Sequence, residues 1–398
     1  MRLSRALGWL GLGALAGWGL PTLLLQGVGL GVLRTARSAR PQAALTFAGG
    51  PDPLVTPLLL AALKAADVRA TFFVSGSEVQ KNSQLLAQIR AEGHHIELGA
   101  GRSAWLSEAN LHRARLQLEA AGVEVHSVLL PPGAVGWPVL LAARRAGLTL
   151  ASGTVEVRRS ADQRGRVRRF LRPGGTVLLA GEGAQGAAAA RMLPELLGEL
   201  AARGYSLLPM SELVGLRPDG WRDVPPKLIQ LVDLGYDALG RIRRIGGHAS
   251  SLFRVGVAPY PLASLTLKDG KQIDHGASIV EFHLDSARLV QLAERPVAGR
   301  HVVKHSLHDL AEAVRDDPAW QQLPAVFSIS IFSDVLRIYG FETVELPDRM
   351  RRRLTWWSRT LRRAYGVSDL NSEHIPKLAI ISRQELIRRF GVRPVRAG

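Results

Sequence analysis

The stretch ALTFAGGPDP, Ala44–Pro53, decides how the rest of the chain is read. An apolar run ends at Thr46-Phe47, gives way to Ala48, Gly49 and Gly50, and turns through Pro51-Asp52-Pro53. In parallel α/β barrels the chemistry sits where a strand ends and its loop begins. Here that tip carries one methyl group and two bare backbones.

Outward from this strand, apolar runs alternate with amphipathic segments. Strands are predicted at Ala43–Phe47, Ala70–Val74, His95–Leu98, Ser127–Leu130, Leu148–Ala151, Thr176–Leu179 and Ser206–Leu208. Helices are predicted between them at Leu54–Ala66, Ser77–Glu92, Ser107–Ala121 and Ala188–Arg203. Strand–helix alternation implies a parallel sheet, and this number of repeats predicts a closed barrel. The Pro- and Gly-rich stretch 215–226 reads as an interdomain linker. From Lys227 the alternation stops. A helix near Leu228–Arg244, an alternating strand Ser278–Asp285 and further helices predict a smaller α+β domain over 227–398.

The 398 residues are 46% hydrophobic, enough to bury cores in two domains. Lys and Arg total 51 against 34 Asp and Glu, a formal charge of +17 that favours anionic partners. No nucleic-acid motif accompanies the charge, so no nucleic-acid partner is expected. The chain has no cysteine, which excludes disulfides and thiol catalysis.

Ala6 to Leu33 contains no charged residue and is long enough to span a bilayer. Residues 1–40 are therefore expected to be an uncleaved membrane anchor, with a cleaved signal as the alternative. Glycines at Gly13/Gly17 and Gly27/Gly31 have the spacing of close helix contacts, or reflect the ordinary glycine content of membrane helices. Arginines flank the segment on both sides, so charge does not set its orientation.

Residues 41–214 resemble the polysaccharide deacetylase family, the NodB-homology or carbohydrate esterase family 4 domain. The resemblance is carried by ALTFAGGPDP, VRATFFVSG (Val68–Gly76), AEGHHIELG (Ala91–Gly99), LLPPG (Leu129–Gly133), PGGTVLL (Pro173–Leu179) and LPELLGELAARGYSLLPMSEL (Leu193–Leu213), in the family's order and spacing. It implies a distorted (β/α)7 barrel that removes acetyl groups from N-acetylated sugars with a divalent metal such as zinc. Such a metal polarises the carbonyl and activates water, and a carboxylate base takes the proton. Aligning the motifs puts Ala48 at the base and Gly49, Gly99 and Ser103 at the three metal ligands. Leu130 and Gly133 fall at the third motif's arginine and aromatic. The fifth motif, Leu-x-His-Asp, becomes Leu179-Ala180-Gly181. The fourth is not identifiable near Ala151–Ser160. These residue types move no proton and give a metal at most one hydroxyl, so no metal and no catalytic residue are predicted. The alternative is a site rebuilt from Asp52, His94, His95, Glu97 and His112.

Residues 227–398 resemble the YkoP-like domain, through GASIVEFHLDSARL (Gly276–Leu289) and ISRQELIRRFG (Ile381–Gly391). Glu281 and His283 fall on one face of a strand and with Asp285 form a candidate binding row, or a solvated polar face. His301, His305, His308 and Glu312 share a helix face opposite an apolar stripe, a candidate metal site or a wet surface. The segment Arg349–Gly366 packs seven arginines around Trp356, Trp357 and Tyr365. Arg351, Arg352, Trp356, Trp357, Arg362 and Arg363 are candidates for binding an anionic glycan or lipid, against the alternative of a solvated basic helix with its tryptophans in the core.

The combined expectation is a membrane-held, extracytoplasmic, catalytically degenerate deacetylase homologue. Its expected partners are a cell-envelope polysaccharide or other anionic glycan, the membrane, or a protein. The alternatives are an active deacetylase with a rebuilt site, an enzyme acting through its C-terminal domain, and an inert structural subunit.

Overall fold

The computed structural model describes residues 20–37, 40–99, 107–131, 136–157, 162–229, 237, 240, 242–245, 251–284, 296–364 and 375–392. The chain divides into two compact units, Met1–Val224 and Pro225–Gly398.

The first unit holds β1 (Val32–Leu33), β2 (Gln42–Ala48), β3 (Thr71–Val74), β4 (His95–Leu98), β5 (Ser127–Leu129), β6 (Thr149–Ala151), β7 (Val155–Glu156), β8 (Thr176–Ala180) and β9 (Ser206–Leu208). They form one sheet in the order β1-β6-β5-β4-β3-β2-β8-β7, with β9 also on β2. All its ladders are parallel. Strands covered on both faces are near-continuously apolar, and β3 and β8 are buried at every position. Helices Thr56–Ala65, Glu108–Ala120, Trp137–Arg145, Gln163–Phe170 and Gly183–Ala202 alternate with the strands.

The seven expected strands are present with their ends shifted by at most one residue, and three differences have local causes. The expected helix Ser77–Glu92 is two, Gly76–Lys81 and Ser83–Ala91. Asn82 leaves helical geometry at φ −128°, and its Nδ2 donates to the Pro51 carbonyl at 3.0 Å. The closed barrel is a correction too, because among the described residues β1 and β7 are the ends of an open ladder. Side chains span the gap instead: Thr154 Oγ1 donates to the Arg34 carbonyl at 2.8 Å, and Arg34 Nε donates to the Gly153 carbonyl at 3.2 Å. The third difference is that β1 and β7, two residues each, carried no periodic signal.

Most of the expected anchor, including residues 1–19, lies outside the described residues, and only its end can be compared. Its last residues are not membrane helix. Helical structure over 20–28 stops at Gly29, whose φ is 80°. Gly31 turns at φ 75° and donates to the Asp219 carbonyl at 2.7 Å, so it is no helix-contact glycine. Val32 and Leu33 pair with β6. Among the described residues no helix is long and apolar enough to cross a membrane.

The stretch expected as a linker is bound to the first unit. Leu216 bridges Ala36 and Asp219 bridges Leu30. Asp223, buried, receives Arg217 through two bonds of 2.9 and 3.1 Å, the Gly220 N–H at 2.7 Å, and an ion pair from Arg37.

The second unit holds β10 (Arg243–Arg244), β11 (Phe253–Pro259), β12 (Leu265–Thr266), β13 (Gln272–Ile273), β14 (Ser278–Leu284), β15 (Ala325–Ser330), β16 (Glu342–Val344) and β17 (Lys377–Ser382). Six of these form a mixed sheet in the order β10-β11-β14-β15-β17-β16. The helix Pro296–Asp316 makes the crossover that lets β14 and β15 run parallel. The expected helix at Leu228–Arg244 falls partly outside the described residues, and its end is strand, with Arg243 and Arg244 paired to β11.

Burial inside the first sheet forces polar atoms to find partners. The Glu97 carboxylate Oε2 accepts the His126 and Ser127 N–H groups at 3.0 and 2.7 Å. Its burial nevertheless raises its pKa, partly offset by those bonds. The folded state thus holds the Glu97 proton more tightly than the unfolded chain. That contribution is present below the unfolded glutamate value of about 4.3 and is lost as pH rises through the folded value. Glu97→Gln keeps an acceptor oxygen and does not titrate, so its stability relative to wild type improves between about pH 4 and pH 7. Glu97→Ala strands the buried Ser127 N–H and the partly buried His126 N–H and loses about 1–3 kcal/mol. Thermal melts of the three proteins at both pH values check this; a Gln–wild-type gap independent of pH would contradict it.

Candidate functional site

The mouth of the sheet is built from the strand ends that the motif alignment singles out. Ala48 closes β2 and is buried at 8% exposure. Its methyl belongs to an apolar cluster with Phe73, Leu129, Ala151 and Leu178. The position expected for a catalytic base is thus part of the hydrophobic interior.

Gly49 and Gly50 follow with φ of 93° and 92°, a region that L side chains rarely adopt. The space a Gly49 side chain would take is filled by Glu182. An added Cβ would lie 2.6 Å from Glu182 Cδ and 3.0 Å from Oε2. The same carboxylate accepts the Gly50 N–H at 3.1 Å. Gly99 packs on a neighbouring strand, where an added Cβ would lie 2.9 Å from the Phe73 carbonyl oxygen. Gly181 lies against the first motif, where a Cβ would meet the Gly49 carbonyl oxygen at 2.7 Å. Ala180 is buried at the end of β8, and Leu130 is buried just past β5. Ser103 and Gly133 lie outside the described residues.

The five residues considered for a rebuilt site do not converge. Asp52 sits at the mouth, where partial burial would raise its carboxyl. The N–H groups of Gly183, Leu54 and Val55 outweigh that and hold it below the usual range. His94 Nδ1 accepts the Ala70 N–H at 3.2 Å, and burial lowers its pKa. His95 bonds Ser211 Oγ at 2.6 Å and Glu212 at 3.3 Å. Glu97 is held by β5, and His112 is exposed on its helix. Among the described residues no three His, Cys, Asp or Glu are grouped to hold a metal ion. The divalent metal of the resemblance does not fit the described donors: Ala48, Gly49, Gly99 and Gly181 offer no side-chain lone pair. Asp52 and Glu182, the carboxylates beside them, are engaged with backbone N–H groups.

A polar cavity of 320 Å³ opens past the ends of β5 and β6, lined by Gln26, Arg34, Leu130, Pro131, Ser152, Thr154, Glu156 and Arg166. Arg34 donates to the Gln26 and Gly27 carbonyls at 2.8 and 3.2 Å. Burial lowers its pKa, against the charges of Glu156 and Asp219. Ser152 Oγ donates to Glu156 Oε1 at 3.3 Å. Gln26, Arg34, Glu156 and Arg166 were not singled out from the sequence.

In the second unit, Glu281 and His283 share a face of β14 and pair with each other at 3.5 Å, half-buried; Asp285 lies outside the described residues. His308 is not on a wet face. Its Nδ1 meets the Phe390 carbonyl at 2.8 Å and its ring stands edge-on to Phe390, because the helix Arg383–Phe390 covers that side. His301 is exposed and His305 half-buried. On the helix Asp348–Ala364, Arg352, Trp356 and Arg363 are exposed, whereas Arg351, Trp357 and Arg362 are half-buried; Tyr365 lies outside the described residues. A cavity of 790 Å³ lies between Tyr260, Leu262, Leu265, His275, Val344 and Leu346.

Residues 36–151 match the family model described as polysaccharide deacetylase, and residues 224–390 match the YkoP domain. Both resemblances stated on motifs hold over those stretches. A peptidoglycan-N-acetylglucosamine deacetylase of Bacillus cereus is 47% identical over 53 residues, 13% of this chain and 25% of its own length. A chitooligosaccharide deacetylase of Sinorhizobium fredii is 30% identical over 127 residues, 30% of this chain and 59% of its own. Both matches span less than two thirds of the relative. A solved CE4 family pseudoenzyme from Bacillus anthracis aligns with a TM-score of 0.39 at 21% identity, over 44% of this chain and 65% of that one.

Placing imidazoles at Gly99 and Gly181 brings the added Cβ against backbone, not only against movable side-chain ends. Gly99→His and Gly181→His should each lose about 1–3 kcal/mol. Gly198→Ala, with nothing within 4 Å of the added Cβ, should be neutral or stabilising by about 0.5–1 kcal/mol. Denaturant titration of the three variants checks the contrast.

Proposed function

We propose that the first unit is a deacetylase-type barrel that binds a cell-envelope glycan without hydrolysing it. One observation carries the reading: among the described residues, the positions where the family's base and two of its three metal ligands would stand are taken up by packing. Ala48 lies in the apolar cluster, the Glu182 carboxylate covers Gly49, and Gly99 and Gly181 touch backbone. Metal-assisted amide hydrolysis needs an activated water and a base beside it. The described mouth supplies neither.

Binding needs less. The cavity beside Leu130 and Pro131 presents Arg34, Glu156, Arg166 and two hydroxyls. Sugars are recognised through such convergent donors and acceptors in a small cleft. The relatives named above act on peptidoglycan and chitooligosaccharides, which suggests an N-acetylated glycan.

The test pairs two assays on the full chain. Incubation with N-acetylglucosamine oligomers and added zinc is expected to release no acetate above buffer. Peptidoglycan pelleting is expected to retain the protein. Arg166→Ala and Glu156→Ala should weaken retention by about tenfold each, the worth of a hydrogen bond to a charged group. Acetate release abolished by chelation would refute the inactive reading; retention unchanged in both variants would remove this cavity as the glycan site.

A further inference from the structure

The helix Asp348–Ala364 has two unlike sides. Met350 and Leu354 lie against the second unit's core. The opposite side carries Arg349, Arg352, Arg353, Trp356, Arg359 and Arg363, all exposed. At 3.6 residues per turn these six fall within about a third of the circumference, with Trp356 central. The Trp356 side chain is 65% exposed.

Among the described residues no acidic side chain pairs with this face. Asp348 is engaged by Arg351, on another side of the helix, and Glu345 by Lys377. None of the five exposed arginines has an ion-pair partner among the described residues. A chain with net charge +17 gains nothing in stability from five uncompensated cations on one stripe.

We propose that this face is a docking surface for an anionic phospholipid bilayer. The arginines take lipid phosphates through their planar guanidinium forks, and Trp356 enters the headgroup layer, where indole is favoured. The helix surface is convex, with its own apolar side committed to the core. It suits a broad planar partner, whereas a glycan chain is held in a cleft. The uncharged run at Ala6–Leu33 belongs to the same chain, although the surface stands without it.

Sedimentation of the full chain with phosphatidylcholine vesicles, with and without phosphatidylglycerol, tests the surface. The N-terminal run is present in both arms, so the increment due to the anionic lipid isolates electrostatic docking. Wild type should show that increment and lose it as salt rises. Each arginine near an anionic surface contributes about 1 kcal/mol, so Arg352→Gln with Arg359→Gln should lower binding to the anionic vesicles by roughly 10- to 30-fold. Lysine at both positions should keep most of it. Trp356→Ala should weaken binding several-fold at unchanged salt dependence. Circular dichroism establishes that each variant is folded; both arginines are exposed, so the double variant keeps the core intact. Equal binding to both vesicle types, or a folded double glutamine variant that binds like wild type, overturns the proposal. So does retention of a soluble polyanion such as dextran sulfate without any vesicle binding.

Discussion

A parallel sheet with both faces covered makes an unpaired polar atom on its strands costly. That constraint orders the first unit. Thr46 Oγ1 donates to the Val177 carbonyl at 2.8 Å, and Thr71 Oγ1 accepts the Met210 N–H at 2.8 Å. Glu97 ties the start of β5 to β4. At the mouth the same rule meets a run of residues without functional groups. Vacant volume inside a packed protein forfeits contacts, and here neighbours occupy it. Glu182 lies over Gly49, the Phe73 carbonyl abuts Gly99, and the Gly49 carbonyl abuts Gly181. Small residues at these positions and the close approach of their neighbours are parts of one arrangement.

The polar groups that remain near the mouth act as structure. Asp52 collects three N–H groups across two loops, and Glu182 collects one from the turn it covers. Asp52 is a poor general base, because those N–H groups lower its proton affinity.

Legibility in the sequence followed signal strength. Short apolar runs set between amphipathic segments marked seven strands, most of them buried. β1 and β7 escaped, since two residues carry no period. The motif alignment found Gly49 and Gly99 but not Glu182, although Glu182 stands at the acidic position of Leu-x-His-Asp, where the fifth motif was read only as far as Gly181. The basic helix was recognised by composition, yet the residues chosen from it mixed two faces. Met350 and Leu354 face the core, which turns Arg349, Arg353 and Arg359 outward and draws Arg351, Trp357 and Arg362 partly inward. The helical period contained that division; composition alone did not. The segment 215–226 misled because Pro and Gly mark irregular backbone, and irregular backbone can be firmly held.

The hold on that segment bears on how such proteins are assembled from parts. Asp223 gathers Arg37 from just ahead of β2 and Arg217 from beyond β9, and one carboxylate therefore ties together the segments that flank the strands from β2 to β9. A gene fusion that joined a barrel to a new partner just after Leu213 would leave this clasp behind. The compact unit that the clasp belongs to runs on past Leu213 to Val224.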